Sequence, residues 1–271
     1  MTSFRQRTYL YDDGEVLYPF GHGLSYTTFA YSNLTAEKKV GGVLFRLTVE
    51  NTGERDGDEV VQLYAQALTS RVKRPLRQLC AFQRVHVPAG ECCPVTLFVP
   101  QHALEFYDVT REKMVMEQGR YAFRVGASSA DIRLELELTL DGETIPSRDL
   151  GAPVLCKNYD TKSGIATTLQ FSKGQNDWYG CTNDLGGEFV FAQAAFENYT
   201  AAELWAAAPC AKATVRIFAG EQELGSVEIP PSRSPEDFHP YAVRLKAYAG
   251  VADLRLKIEG LASVFRVQFG A

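Results

Sequence analysis

The stretch GVLFRLTVENTG, residues 42–53, alternates apolar and polar side chains and then turns. Val43, Phe45, Leu47 and Val49 fall on one side of an extended chain, and Leu44, Arg46, Thr48 and Glu50 on the other. Strand side chains repeat every two residues, so this spacing predicts a strand with one face on a core. Asn51-Thr52-Gly53 then supplies turn chemistry. The pattern recurs at Ile132, Leu134, Leu136, Leu138 and Leu140, and again at Leu254, Leu256 and Ile258. Further turn signals stand at Pro88-Ala89-Gly90, Asp141-Gly142 and Ala219-Gly220. The alanine-rich run from Tyr199 to Ala208, flanked by such segments, reads as a strand with small side chains. The chain reads as all-β.

Its 271 residues are 45% apolar and 23% charged, which excludes wholesale disorder. A net charge of −5 argues against nucleic-acid binding by bulk charge. No run approaches the roughly 18 apolar residues of a membrane span. The opening MTSFRQRTYLYDDGE lacks the apolar core of a signal peptide, so the expectation is a cytoplasmic chain with no membrane partner. The six cysteines, at 80, 92, 93, 156, 181 and 210, form no CxxC and have no histidine at ligand spacing. Reduced thiols and no zinc site are expected.

The segment DGETIPSRDLGAP, residues 141–153, combines two prolines, two glycines and alternating charge, and reads as a linker. It divides the chain into a lead-in at 1–17, a first β-sandwich at 18–140 and a second at 154–271. Each half has the length of a two-sheet sandwich.

Chemistry is sparse. Asp12-Asp13 and the acids at 54, 56, 58 and 59 lie in turn-like segments and read as solvated. Gly21-His22-Gly23-Leu24-Ser25-Tyr26 lacks a nucleophile elbow, because Thr27 stands where the second glycine belongs. The basic run Arg71-Val72-Lys73-Arg74-Pro75-Leu76-Arg77 has no interleaved aromatics for stacking nucleotides and reads as a solvated loop. Trp178-Tyr179 in KGQNDWYGCTND and Phe238 with Tyr241 in SPEDFHPY place large rings in polar surroundings. Such rings either stack on sugar faces or cap a core. These four are the candidate carbohydrate-binding residues; no catalytic or metal-ligating residue is assigned.

Residues 7–34, RTYLYDDGEVLYPFGHGLSYTTFAYSNL, closely resemble the opening of the fibronectin type III-like domain of family 3 glycoside hydrolases. VENTGERDGDEVVQLY at 49–64, SRVKRPLRQLCAFQRVHVPAGE at 70–91 and EQGRYAFRVGASSADIRLE at 117–135 follow in that family's order. The second half resembles a family 6-type carbohydrate-binding module through NYDTKSGI at 158–165, GGEFVF at 186–191, EDFHPY at 236–241 and GVADLRLKIEG at 250–260. That resemblance implies a jelly-roll-like sandwich with Phe238 and Tyr241 at ring positions. It departs at Lys157, where such modules carry a glutamate, and at Ser263, where they carry a sugar-binding asparagine. Modules of this type often hold a structural calcium, but with Lys157 replacing an acid no ligand is assigned.

The first resemblance implies an O-glycosidase whose nucleophile and general acid lie in domains outside these residues. The chain is therefore expected to be the non-catalytic C-terminal part of a β-glucosidase- or β-xylosidase-like protein, with Met1 an internal methionine or the start of a split subunit. Its expected partners are catalytic domains in cis or trans and a β-linked plant polysaccharide or oligosaccharide. A free-standing carbohydrate-binding protein and a docking subunit for a separate catalytic chain are the alternatives.

Overall fold

The computed structural model describes residues 8–11, 14, 16–172 and 175–270, with side-chain detail lacking at 169–177. It is all-β, in two compact units, Ser3–Ile145 and Pro146–Ala271.

In the first unit β1 (Phe29–Lys39), β2 (Gly42–Asn51) and β5 (Cys92–Pro100) form a three-stranded antiparallel sheet in the order β1-β2-β5. The alternation that begins at Val43 is realised in β2: Val43, Phe45, Leu47 and Val49 are all buried. β3 (Gly57–Ala67), β4 (Gln78–Val87), β8 (Gly119–Gly126) and β9 (Ile132–Leu140) make the facing sheet in the order β4-β3-β8-β9. Between β5 and β8 lie a 3-10 turn and a short hairpin, β6 (Phe106–Asp108) with β7 (Lys113–Val115). Phe45 and Phe123 meet at 4.7 Å in the core between the sheets. β9 alternates as read, yet only its last leucine, Leu140, is fully buried. It is an edge strand, paired on one side alone, so the rim of the sandwich leaves its apolar face half-covered.

The segment that precedes β1 is pinned across the outer face of β3. The Gln62 side-chain amide donates to the carbonyls of Gly21 and Ala127. The Tyr64 hydroxyl donates to Gln62, and the Ser129 amide donates to the Phe20 carbonyl at 2.9 Å. Gly21 has φ +80°, and a Cβ there would sit 2.0 Å from the Gln62 carbonyl oxygen. No other residue fits that approach. A second anchor is Asn51, fully buried at the end of β2. Its Oδ1 accepts from the Thr27 hydroxyl (2.6 Å) and the Gly53 amide, while Nδ2 donates to the carbonyls of Arg55 and Val87. Buried amides with every hydrogen bond made hold a backbone in one arrangement.

The second unit stacks two six-stranded sheets. One runs β10 (Arg148–Asp149), β15 (Gly187–Glu197), β20 (Ala249–Glu259), β17 (Ala213–Ala219), β18 (Gln222–Ile229), with β12 (Thr161–Ser163) also on β15. The other runs β13 (Ile165–Ser172), β14 (Gln175–Thr182), β21 (Ser263–Gly270), β16 (Ala201–Ala207), β19 (His239–Arg244), with β11 (Val154–Leu155) on β21. Leu254, Leu256 and Ile258 face the core as read, against Phe189, Phe191, Leu204 and Ile217. The alanine-rich run is strand β16, whose Ala202 and Ala206 let the sheets approach. Gly180 does the same, since a Cβ there would lie 1.9 Å from the Phe189 ring. Within the segment 141–153, β10 pairs in parallel with β15 and Leu150 is fully buried in this unit's core.

Replacing Asn51 by Ala takes the partner from the buried Val87 carbonyl, the half-buried Arg55 carbonyl, a hydroxyl and an amide, and should destabilise the first unit by about 2–4 kcal/mol. Urea unfolding followed by Tyr and Phe signals checks this; a loss below about 0.5 kcal/mol contradicts it.

Candidate functional site

Two places gather side chains with chemical potential. In the first unit a groove of about 670 Å³ opens between the pinned segment and the outer face of β3 and β4. Phe20, Leu24, Phe29, Val60 and Phe82 line it together with the carboxylates Asp58, Glu59 and Asp131. A glycosidase would need one of these acids to stay protonated as a proton donor and another to face it. Each is instead held as an acceptor by a cation. Asp58 receives the ring nitrogen of His86 (2.7 Å) and the guanidinium of Arg84, which hold its carboxyl below the usual range. Glu59 accepts from Tyr31 Oη at 2.7 Å and from Arg133 at 3.3 Å. Burial and this bond to Glu59 push the Tyr31 phenol well above its ordinary value. Asp131 takes Arg133 at 2.8 Å. The groove acids are clamps between elements rather than a poised pair. Asp12 and Asp13 lie outside the described residues.

The basic run at 71–77 departs from its reading as a solvated loop. The Arg71 side chain is 3% exposed and meets Asp108, itself fully buried, at 3.3 Å. Arg74 is buried, donates to the Leu104 carbonyl at 2.9 Å and lies over the Phe106 ring at 4.2 Å. The partners that draw these arginines inward, Asp108 for Arg71 and Leu104 with Phe106 for Arg74, stand thirty or more residues away, so local sequence carries no sign of them. Burial raises the Asp108 carboxyl, but hydrogen bonds from Thr110 and Arg111 outweigh it and hold the group below its ordinary value.

In the second unit the structure corrects the setting of three of the four predicted rings, and leaves Phe238 in the loop before β19. Trp178 and Tyr179 stand on strand β14, and Tyr241 on β19, not in loops. Strand pairing of Leu169 with Trp178 and Thr168 with Tyr179 overrides the polar composition around them. Tyr179 is 3% exposed and meets Phe238 edge-on at 5.2 Å. Phe238 in turn lies 5.6 Å from Phe265, which the sequence reading missed. Tyr241 packs against the core. Trp178, at 41% exposure, keeps an accessible ring. Thus Tyr179 and Phe238 come together, whereas Tyr241 turns inward with its own sheet. Ser263 is fully buried in β21, where its hydroxyl cannot meet a sugar.

Sequence reading also missed Trp205 on β16, whose indole N–H donates to Glu203 at 2.6 Å while Arg266 lies 4.7 Å over its ring. The signal was the register that sets Trp205 against Arg266, legible only once the strands pair. Among the described residues no group of three or more His, Cys, Asp or Glu side chains is gathered to hold a metal. All six cysteines are free, and burial pushes the Cys80 thiol up to about 12.

Comparison with known proteins defines the class of the first unit: residues 59–129 match the fibronectin type III-like domain family. The first unit is thus similar to the fibronectin type III-like part of family 3 glycoside hydrolases. A probable β-glucosidase K of Emericella nidulans is 42% identical over 123 residues, 45% of this chain and 14% of that protein. A xylan 1,4-β-xylosidase of Xylanibacter ruminicola is 38% identical over 141 residues, 51% of this chain and 16% of its own. A crystal structure of a GH3 β-glucosidase from Bifidobacterium adolescentis aligns at 34% identity and a TM-score of 0.47, covering 49% of this chain and 20% of that one. The chain thus spans less than a fifth of the length of these curated relatives.

Asp108→Asn keeps the shape but removes the charge that Arg71 and Arg111 need, and should cost about 3 kcal/mol. With its folded pKa below its unfolded value near 3.9, Asp108 contributes stability above that pH, lost as pH falls through the folded pKa. Denaturant midpoints between pH 7 and pH 2 should therefore fall less steeply in Asp108→Asn than in the parent. Parallel pH curves would contradict this.

Proposed function

We propose that this chain is the non-catalytic accessory region of a β-glycosidase of β-glucosidase or β-xylosidase type. In the complete enzyme O-glycosidic bonds are hydrolysed by catalytic domains that it supports in cis or trans. The observation that carries this reading is the match of about 45% of the chain to β-glucosidases over only 14–19% of their length. The groove chemistry agrees, since every acid in it is committed to a cation. The experiment is hydrolysis of aryl β-glucosides and β-xylosides by the purified chain. No turnover above buffer is expected; turnover abolished by a single carboxylate substitution would overturn the reading.

A second role is favoured by the exposed Trp178 ring: weak binding of a β-linked polysaccharide by the second unit, like a carbohydrate-binding module. Aromatic faces give sugars an apolar platform, and placed polar groups give orientation. With Ser263 buried, ring stacking is left as the main contribution to such binding. In affinity electrophoresis through β-glucan or xylan, retention of the parent chain should fall severalfold in Trp178→Ala. A parent chain that is not retained removes this role and leaves the supporting one.

A further inference from the structure

Among the described residues, five nitrogen atoms on three arginines of the first unit are buried and meet no acceptor: Nε and Nη1 of Arg71, Nε and Nη1 of Arg74, and Nη2 of Arg111. They gather over one short strand. Arg74 lies over the Phe106 ring, while Arg71 and Arg111 grip the two oxygens of the Asp108 carboxylate at 3.3 and 2.7 Å. Phe106 and Asp108 stand two residues apart on β6 and so share a face. A buried donor left unmet is costly, more so on a charged group, and native structures resolve such groups with an internal partner, an ordered water or an ion.

The acids within reach are already spent. Asp108 Oδ1 accepts from Arg71 and from the amide and hydroxyl of Thr110, and its Oδ2 accepts from Arg111. Glu117, also buried, takes the Ser70 hydroxyl and the Arg71 backbone amide. Glu143 takes Nη1 of Arg111 and the Lys113 ammonium. Charge is left over as well. Arg71, Arg74, Arg111 and Lys113 carry four positive charges, against three negative ones on Asp108, Glu117 and Glu143. Burial holds the Arg74 guanidinium below its ordinary value, as fits a cation short of a counter-charge.

We propose that the Arg71–Arg74–Arg111 cluster is an internal anion site, taking one univalent inorganic ion of chloride size. One negative charge balances the excess. A monatomic anion accepts from several directions at once, as donors spread over three guanidinium groups require. A water would bring two hydrogens of its own to a place whose acceptors are spent, and no charge. Size excludes larger ligands, because the orphaned donors are shut from solvent and only Arg111, with its side chain 23% exposed, reaches the rim.

The test uses the full chain, with chloride and bromide as probes. At constant ionic strength, exchanging sodium gluconate, whose anion is too bulky to enter, for sodium chloride should raise the thermal midpoint by about 3 °C or more. The rise should saturate with chloride concentration. Arg71→Met removes two of the orphaned donors and the surplus charge, and should cut the rise to less than about 1 °C. A crystal soaked in bromide should show anomalous density among the three guanidinium groups, a readout that stands even where Arg71→Met does not fold. No bromide density at that place gives the donors to ordered water and overturns the proposal, whatever the two salts do to the midpoint. Equal midpoints in the two salts, or a chloride rise kept in full by Arg71→Met, mark an adventitious ion only and overturn it too.

Discussion

The first unit depends on a pair of buried side-chain amides that do the work of secondary structure where none exists. Residues 20–28 form no ladder with the four-stranded sheet, so their backbone groups need partners from elsewhere. Gln62 provides one for the Gly21 carbonyl from the outer face of β3, while Asn51 at the end of β2 holds the segment by the Thr27 hydroxyl. Each is held in turn, Gln62 by Tyr64 and Asn51 by backbone on both sides. Satisfied amides in a low-dielectric setting are rigid, and the same amides left half-satisfied would be costly. This constraint fixes where the groove opens and where Leu24 stands.

Much of the fold was legible because it follows from period-two alternation. β2 and β20 bury the residues their patterns marked, and the alanine-rich run is a strand. The site was far less legible, and for physical reasons. Polarity placed Trp178 and Tyr179 in a loop, yet cross-strand pairing with β13 outweighed it. Charge density placed Arg71 and Arg74 in solvent, yet a fully buried Asp108 and an aromatic face drew them in. Long-range partners of this sort leave no mark in neighbouring residues. Phe265 and Trp205 were likewise invisible until β14, β16 and β21 were set in register.

The two units divide the chemistry. In the first, buried and half-buried carboxylates and guanidinium groups bind element to element, Asp108 to Arg71 and Glu59 to Arg133. In the second, the outward rings carry the polar neighbours, with Glu203 and Arg266 around Trp205. Rings set among polar groups suit reversible contact with hydroxylated ligands.

Central to this account is that the segment bearing Leu24 is fixed to the sheet. Amide hydrogen exchange of Ser129 and Thr52 reads this directly, because their N–H groups donate to the carbonyls of Phe20 and Thr28. Both amides should exchange at least about a hundredfold more slowly than exposed loop amides, and a Gln62→Ala variant should lose the protection of Ser129. Loop-like exchange at both positions, with β3 still protected, would show the segment detached and contradict the account.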